Sequence, residues 1–360
     1  MYWSDSLIDK SGTSGQNAFS GKNAVEKLQH YVCHLILQSQ TKSLGFLWFF
    51  HINSRGGEVK VDKVTVKSFS DGSALTAALQ TGDIQGTYGL QYDNYPLFEN
   101  NADYTINSCA TSRCFFGQFN MDSEIMQDQN IRKAVEMGID KDGFCSVIMQ
   151  GRGVPAKAAF PSSFSYGNDA VETVSYDPDG AKKLLEESGW TDTDGDGYVD
   201  KDGQKLSINW LTYPTRLEQP KLAEYAQATL KDIGIDVQVN NTSDHRTFAE
   251  NGEFDVYVSS VTTAPTGDPE YFFTSTVTGS KNYGNYQNEE VTKLTDQLHQ
   301  TFDKDERGKL AIELQQHILD DDAYFFVSHL NMGIVTKSNV KGMAAHPCDY
   351  YEITADLDVE

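Results

Sequence analysis

Residues 206–239 read LSINWLTYPTRLEQPKLAEYAQATLKDIGIDVQV, and this stretch decides the fold class. LSINWLTY has the make-up of a strand. Pro220 opens a helix whose Leu222, Ala223, Ala226, Leu230 and Ile233 share one face. Gly234 closes the helix and IDVQV resumes the sheet. Strand, helix and strand at this spacing form a crossover unit, which implies parallel pairing within an α/β layering.

Working outward, the same alternation continues. YDPDGAKKLLEESGW (176–190) is a helix opened by Asp177 and Pro178, with Ala181, Leu184, Leu185 and Ser188 on one face and Gly189 at its end. Asp128 caps a helix carrying Ile131, Ala134, Val135 and Gly138, and Asp140 starts another through Phe144, Val147 and Ile148. Strands are expected at VKVDKVTVK (59–67), TSRCFFGQFN (111–120), FDVYVSS (254–260), AYFFVSH (323–329) and GIVTK (333–337). Residues 73–82 read as a short helix, and Asp303 with Glu306 forms a capping box ahead of Leu310, Leu314 and Ile318. Residues 1–54 show no sustained period, so they are expected to be poorly ordered or to pack without a regular core.

Between the helix at 176–190 and the crossover unit lies DTDGDGYVDKDG (192–203). Asp192, Asp194 and Asp196 occupy positions 1, 3 and 5 of a calcium-type loop, with Asp200 at position 9. Position 12, where a bidentate glutamate closes such a site, is Gly203, and the following segment alternates like a strand. The loop therefore reads as a solvated turn that binds calcium weakly or not at all, and no cofactor is expected.

The 360 residues carry 52 acidic against 29 basic side chains, a net charge of −23, which excludes the basic face a nucleic-acid binder needs. The most apolar run, LGFLWFF (44–50), is far too short to span a membrane. The N-terminus lacks the basic start and apolar stretch of a signal peptide. Five scattered cysteines include no C-x-x-C pair, so neither zinc nor a disulfide framework is indicated. No nucleophile elbow, zinc-protease motif, phosphate loop or dinucleotide fingerprint occurs, and the chain does not read as an enzyme. His245, His329 and His346, the last two residues from Cys348, are the side chains to weigh as ligands for nickel, copper or zinc.

The ordered series VDKVTVK…ALTAALQTGDIQG, RCFFGQFNMD…DQNIRKAVEMGIDKDGF, YDPDGAKKLLEESGW, LAEYAQATLKDIGIDVQV, GEFDVYVSS…TGDPEYFF and QQHILDDDAYFFVSH resembles the peptide/nickel solute-binding proteins of bacterial ABC importers, over about residues 56–360. The resemblance implies a two-lobed periplasmic-binding-protein-like fold (type II, cluster C) with mixed sheets that closes on its ligand about a hinge. Residues 1–118 would form an incomplete first lobe, 119–335 the second, and 336–360 a return to the first beside VKVDKVTVK. The family's usual N-terminal region has no counterpart here, so the chain reads as an N-terminally truncated or frameshifted copy.

What the resemblance implies for function is the extracytoplasmic receptor, periplasmic or lipid-anchored, of an importer. As a monomer it would deliver its ligand to permease subunits with their ATPases. Peptide binders of the family carry an Asp where Pro265 or a neighbour stands, and the Ala-Pro here resembles the nickel-type branch, which favours nickel or a nickel chelate. An oligopeptide receptor is the alternative, and a non-functional truncated paralogue is a third reading. The implied ligand wall comprises Arg113, Phe115, Ser259, Thr262, Thr263, Thr266 and Tyr350, with His245 and His346 as metal ligands. Arg113 would neutralise carboxylates of a chelating ligand, and the threonines would supply hydroxyls.

Overall fold

The computed structural model describes residues 60–69, 72–216, 218–350 and 352–360, together with the backbone of a short strand at Trp48–Phe50. The expectation for residues 1–54 thus lies, that strand apart, outside the described residues. The chain divides into two compact units, Met1–Trp48 with Thr65–Ser70, and Phe49–Val64 with Asp71–Glu360. The second unit carries everything that follows.

Its centre is a seven-stranded sheet of β1 (Gly86–Tyr88), β2 (Tyr104–Phe119), β3 (Gly153–Pro155), β4 (Ser207–Thr212), β5 (Asp236–Asn241), β6 (Val256–Thr262) and β7 (Tyr324–Lys337). The order is β1-β7-β2-β6-β4-β5, with β3 also paired to β7. The crossover unit is present: β4 runs parallel to both β5 and β6, while β2 is antiparallel to β6 and β7. The sheet is therefore mixed. Among the described residues the α-helices of six or more residues are α1 (Gly72–Thr81), α2 (Gln129–Gly138), α3 (Pro178–Glu187), α4 (Glu218–Lys231), α5 (His245–Glu250), α6 (Glu289–Gln300) and α7 (Lys304–Asp320). Their caps follow the sequence signals: the carboxylates of Asp128, Asp177 and Asp303 each accept a backbone N–H in the first turn they open.

Period-two alternation sorts the strands' side chains into two cores. Phe115 and Phe119 of β2, Val256 and Val258 of β6, and Phe325 and Val327 of β7 meet Ile131 of α2, Leu185 of α3, and Leu222 and Leu230 of α4. Cys114, Phe116, Tyr324 and Phe326 face the other way, against Leu294 and Leu298 of α6 and Leu314 and Ile318 of α7. Helices thus cover both sides of the sheet. A third, smaller cluster of Leu79, Leu90, Tyr95, Phe98 and Val335 gathers around the far ends of β2 and β7.

Two strands expected from the sequence, AYFFVSH and GIVTK, are one continuous β7. Its register against β2 slips between Phe326 and Ser328 and again between His329 and Asn331. Each slip breaks the alternation locally, which makes one strand read as two. Among the described residues of VKVDKVTVK, the strand is Val64–Val66.

One close approach holds β2 against β7. A Cβ placed on Gly117 would lie 2.1 Å from ring carbons of Phe325, which is fully buried and cannot retreat. Gly117→Ala should therefore destabilise the fold by about 1–3 kcal/mol, the usual cost of overpacking. A urea titration giving an unchanged midpoint would refute this.

After β7 the chain turns back. Val340–Lys341 pairs with Asp358–Val359, and Asp358 lies 3.7 Å from the Lys60 ammonium. Ala345 N–H donates to Asn107 Oδ1 (2.8 Å) and Ser112 N–H to Pro347 O (2.6 Å). The returning segment is thereby laid along β2.

Candidate functional site

The parallel strands β4 and β6 end at Thr212 and Thr262, and α4 begins just beyond β4. A crevice outside the carboxyl ends of parallel strands is where open α/β sheets bind ligands. Here the returning segment packs against the strand ends, through Ser112 N–H to Pro347 O and the Asp349 side chain. Thr262 lies opposite Arg113 in the register, so both side chains leave the same sheet face. Arg113 forms an ion pair with Asp349, whose carboxylate also accepts a hydrogen bond from Thr262 Oγ1 (3.3 Å). The two charged side chains are only 9% and 1% exposed. Asp349 adopts φ 60°, a left-handed conformation that turns its carboxylate inward after His346. Arg113 Nε, Asp349 Oδ1 and Ser260 Oγ are buried without a hydrogen-bond partner among the described residues.

Around this pair stand further polar groups from separate elements. Tyr350 shares a hydrogen bond with Thr262, and burial pushes its phenol pKa up. Burial, then the neighbouring Asp349, raises the Glu352 carboxyl, with Arg113 partly offsetting them. Tyr88, at the end of β1, is raised by burial and then by Asp349 and Glu352, while Arg113 and Arg216 act the other way. Arg216, in the turn between β4 and α4, is lowered first by burial and then by Arg113, against the attraction of Glu218. Tyr92 O–H donates to Glu218 Oε1, joining the segment after β1 to the start of α4. Two more contacts tie that segment down, Gln150 Nε2 to Asp93 Oδ1 (2.6 Å) and Arg152 Nη2 to Glu99 Oε1 (2.5 Å).

The residues expected to line the site divide. Arg113, Thr262 and Tyr350 come together there. Arg113 is not free for a ligand carboxylate, however, because Asp349 already neutralises it. Phe115 is fully buried in the main core, turned there by the same alternation that aims Arg113 at the crevice. Ser259 leaves β6 on the opposite face from Thr262. Thr263 is fully buried, its hydroxyl spent on Ser112 O (2.9 Å) and Ala159 O (2.8 Å). Thr266 is exposed in the turn that follows.

The histidines do not converge on it. His245 opens α5 and packs its ring 4.2 Å from that of Tyr213 and 5.8 Å from that of Tyr257. Its Nδ1 meets the Tyr257 hydroxyl at 2.7 Å. Tyr257 belongs with Leu211 and Phe254 to a cluster on the sheet face away from Arg113. His346 is exposed, its Nδ1 accepting the Cys348 N–H (3.2 Å). His329 is fully buried beside Asn168 Oδ1 (3.2 Å), and burial takes its pKa to about 3. Among the described residues, the one group of three or more His, Cys, Asp or Glu side chains close enough to share a metal is Asp192, Asp194 and Asp200, with ligand atoms within 4.8 Å of one another. In that loop Asp192 accepts the N–H groups of Gly195 and Gly197, while Asp196 turns away to Lys205 Nζ (2.5 Å). A groove of about 710 Å³ lies elsewhere, between Asn120, Glu250, Asp255 and Tyr283, and contains none of the expected residues.

The His245 environment gives a pH prediction. Burial, then Arg246, lowers its pKa to about 4 from an ordinary 6.5. The unfolded chain therefore binds more protons than the fold between those values. This group's contribution to stability should shrink as pH falls from about 6.5 to about 4 and then level off. Imidazole NMR should find His245 neutral at pH 5. A titration midpoint near 6.5 would refute the burial argument.

Arg216, Glu218, Tyr88, Tyr92, Asp349 and Glu352 carried no sequence signal, since they sit at element ends or in turns and no rule of spacing connects them.

Helices cover both faces of the mixed sheet, and a buried polar cluster sits at its strand ends against the returning segment. The sequence profile of the bacterial extracellular solute-binding proteins, family 5 (middle region), matches residues 25–284, and the chain belongs to that family. It is 30% identical over 307 residues to the oligopeptide-binding protein AppA of Bacillus subtilis, covering 82% of this chain and 56% of that protein. Against the nickel-binding periplasmic protein of Escherichia coli the figures are 25% over 308 residues, 82% and 58%. The crystal structure of a nickel ABC transporter protein from Bacillus halodurans superposes with a TM-score of 0.71 at 29% identity, covering 84% of this chain and 63% of that one. The chain thus spans a little over half the length of the curated relatives it matches. The family consists of solute-binding receptors and not enzymes, and among the described residues no helix is long and apolar enough to cross a membrane.

Proposed function

We propose that this chain serves as the extracytoplasmic substrate-binding component of an ABC importer, capturing a small solute and handing it to permease subunits driven by their ATPases. The observation that carries the reading is the family match over residues 25–284, together with the polar cluster at the strand ends. Charged and hydroxyl groups from β2, β6 and the returning segment meet there, and the Tyr92 hydroxyl donates to Glu218 at the start of α4. Closure would then be a hinge motion in β2 and β7, with residues up to 118 and from 336 moving against 119–335. The chain would act as a monomer, periplasmic or lipid-anchored.

Two solutes fit the reading. The resemblance implies an aspartate in peptide binders where Pro265 or a neighbour stands here, which supports a nickel chelate. His245 adds little to that case, because its ring lies on the sheet face away from Arg113. The 30% identity to an oligopeptide-binding protein supports a short peptide. Native mass spectrometry of the protein, after incubation with nickel in amino-acid medium and with a peptide digest, tests the reading. A retained chelate or peptide is the expected mass shift. A bare protein in both conditions would overturn it.

A further inference from the structure

We propose that the segment Tyr92–Glu99 is a latch, fastened across the two lobes by protein groups alone, and that it decides their resting position before any ligand arrives. The inference rests on the receptor reading above.

The segment is firm on one side and releasable on the other. On the firm side Tyr95 and Phe98 are buried with Leu79, Leu90 and Val335. The Tyr95 hydroxyl donates to Gly333 O (3.1 Å), and a Cβ on Gly333 would lie 2.3 Å from that hydroxyl. Apolar packing of this kind persists through a hinge motion, so the segment travels with the far ends of β2 and β7. On the other side the contacts are polar. Tyr92 O–H donates to Glu218 at the start of α4, Gln150 Nε2 to Asp93 Oδ1 (2.6 Å) and Arg152 Nη2 to Glu99 Oε1 (2.5 Å). The Arg152 guanidinium also lies 3.8 Å from the centre of the Tyr95 ring.

The turn that receives these contacts is held in place. Gln150 takes φ 51°, a left-handed conformation uncommon for glutamine, ahead of Gly151 at 74°. Asn331 N–H donates to Arg152 O (2.9 Å), which fixes the turn to β7. Such a conformation persists where its surroundings enforce it, and it is found at clamps and switches. Arg152 is 16% exposed and Glu99 43%, so that pair alone is weak in water. The ring contact and the partly buried Tyr92–Glu218 bond add to it. Modest contacts from one firm segment form and break together. None of them involves the Arg113–Asp349 pair, so the latch works apart from the polar cluster at the strand ends.

Small-angle X-ray scattering of the full chain without added solute reads the resting position. Tyr92→Phe with Arg152→Gln should raise the open-to-closed ratio at least about tenfold, seen as a larger radius of gyration than that of the unaltered chain. Hydrogen exchange at the Phe98 and Glu99 amides, which bond to Tyr95 O (2.9 and 3.0 Å), should stay as slow as before. An unchanged radius overturns the latch, while the mass-shift experiment above still decides the receptor reading. A larger radius with both amides unprotected also overturns it, because the segment would then be a prop that has come apart. Should that double variant misfold, Glu218→Ala with Glu99→Ala cuts the Tyr92 and Arg152 hydrogen bonds from their other ends, and the same two readouts decide.

Discussion

Arg113→Met should lower the unfolding free energy by about 3–5 kcal/mol, the usual cost of leaving one partner of a buried ion pair without its counter-charge. Asp349 would stay behind a wall of protein with a single weak hydrogen bond, from Thr262 Oγ1 at 3.3 Å. The same pair can be removed together. Arg113→Met with Asp349→Leu should recover most of the loss, because no uncompensated charge remains. Urea unfolding of the two single variants and the double variant forms the cycle that measures this. A double variant as unstable as the sum of the singles would mean that the pair is not what fastens the returning segment to β2.

A second large effect is expected where α2 meets the end of α7. Arg132, 8% exposed, donates to Met126 O (2.5 Å), Asp321 O (2.8 Å) and Asp322 O (2.9 Å). Those carbonyls belong to two segments that reach the sheet from opposite faces, so one side chain ties the two helical layers together at the edge where β7 begins. Arg132→Met fills similar space but satisfies none of the three. A loss of about 3–4 kcal/mol is expected from carbonyls left buried and unpaired. A shift in denaturation midpoint equivalent to less than about 1 kcal/mol would show that backbone groups or water replace the guanidinium readily.

The layering was legible in the sequence because local rules govern it. Leu222, Ala223, Ala226 and Leu230 repeat at the helical period, and all four are fully buried where that repeat points. The N-caps at Asp128, Asp177 and Asp303 follow from side chains reaching only two or three residues ahead. The site was legible only in part. Strand alternation can place Thr262 and Arg113 on one face once the register is known, but no rule of spacing connects Arg113 with Asp349 or Tyr92 with Glu218. Ser259 lies on the opposite face from Thr262, whereas Phe115, two residues on from Arg113, shares its face and is taken up by the core. His245 drew attention as an imidazole in a polar segment, and its meeting with Tyr213 and Tyr257 depends on how α5 folds back on the sheet.

The position of β2 has a consequence for how the chain is made. β2 sits between β6 and β7, yet β7 follows it by roughly 200 residues, so at ordinary synthesis rates one edge of β2 waits about 10–40 s for its neighbour. During that interval the run Cys114–Phe119 shows an open ladder rich in aromatic residues, the kind of edge on which chains aggregate. Release before Tyr324 is made leaves the middle of the sheet unpaired. A nascent chain of this design is exposed to edge-to-edge aggregation until its last forty residues have emerged.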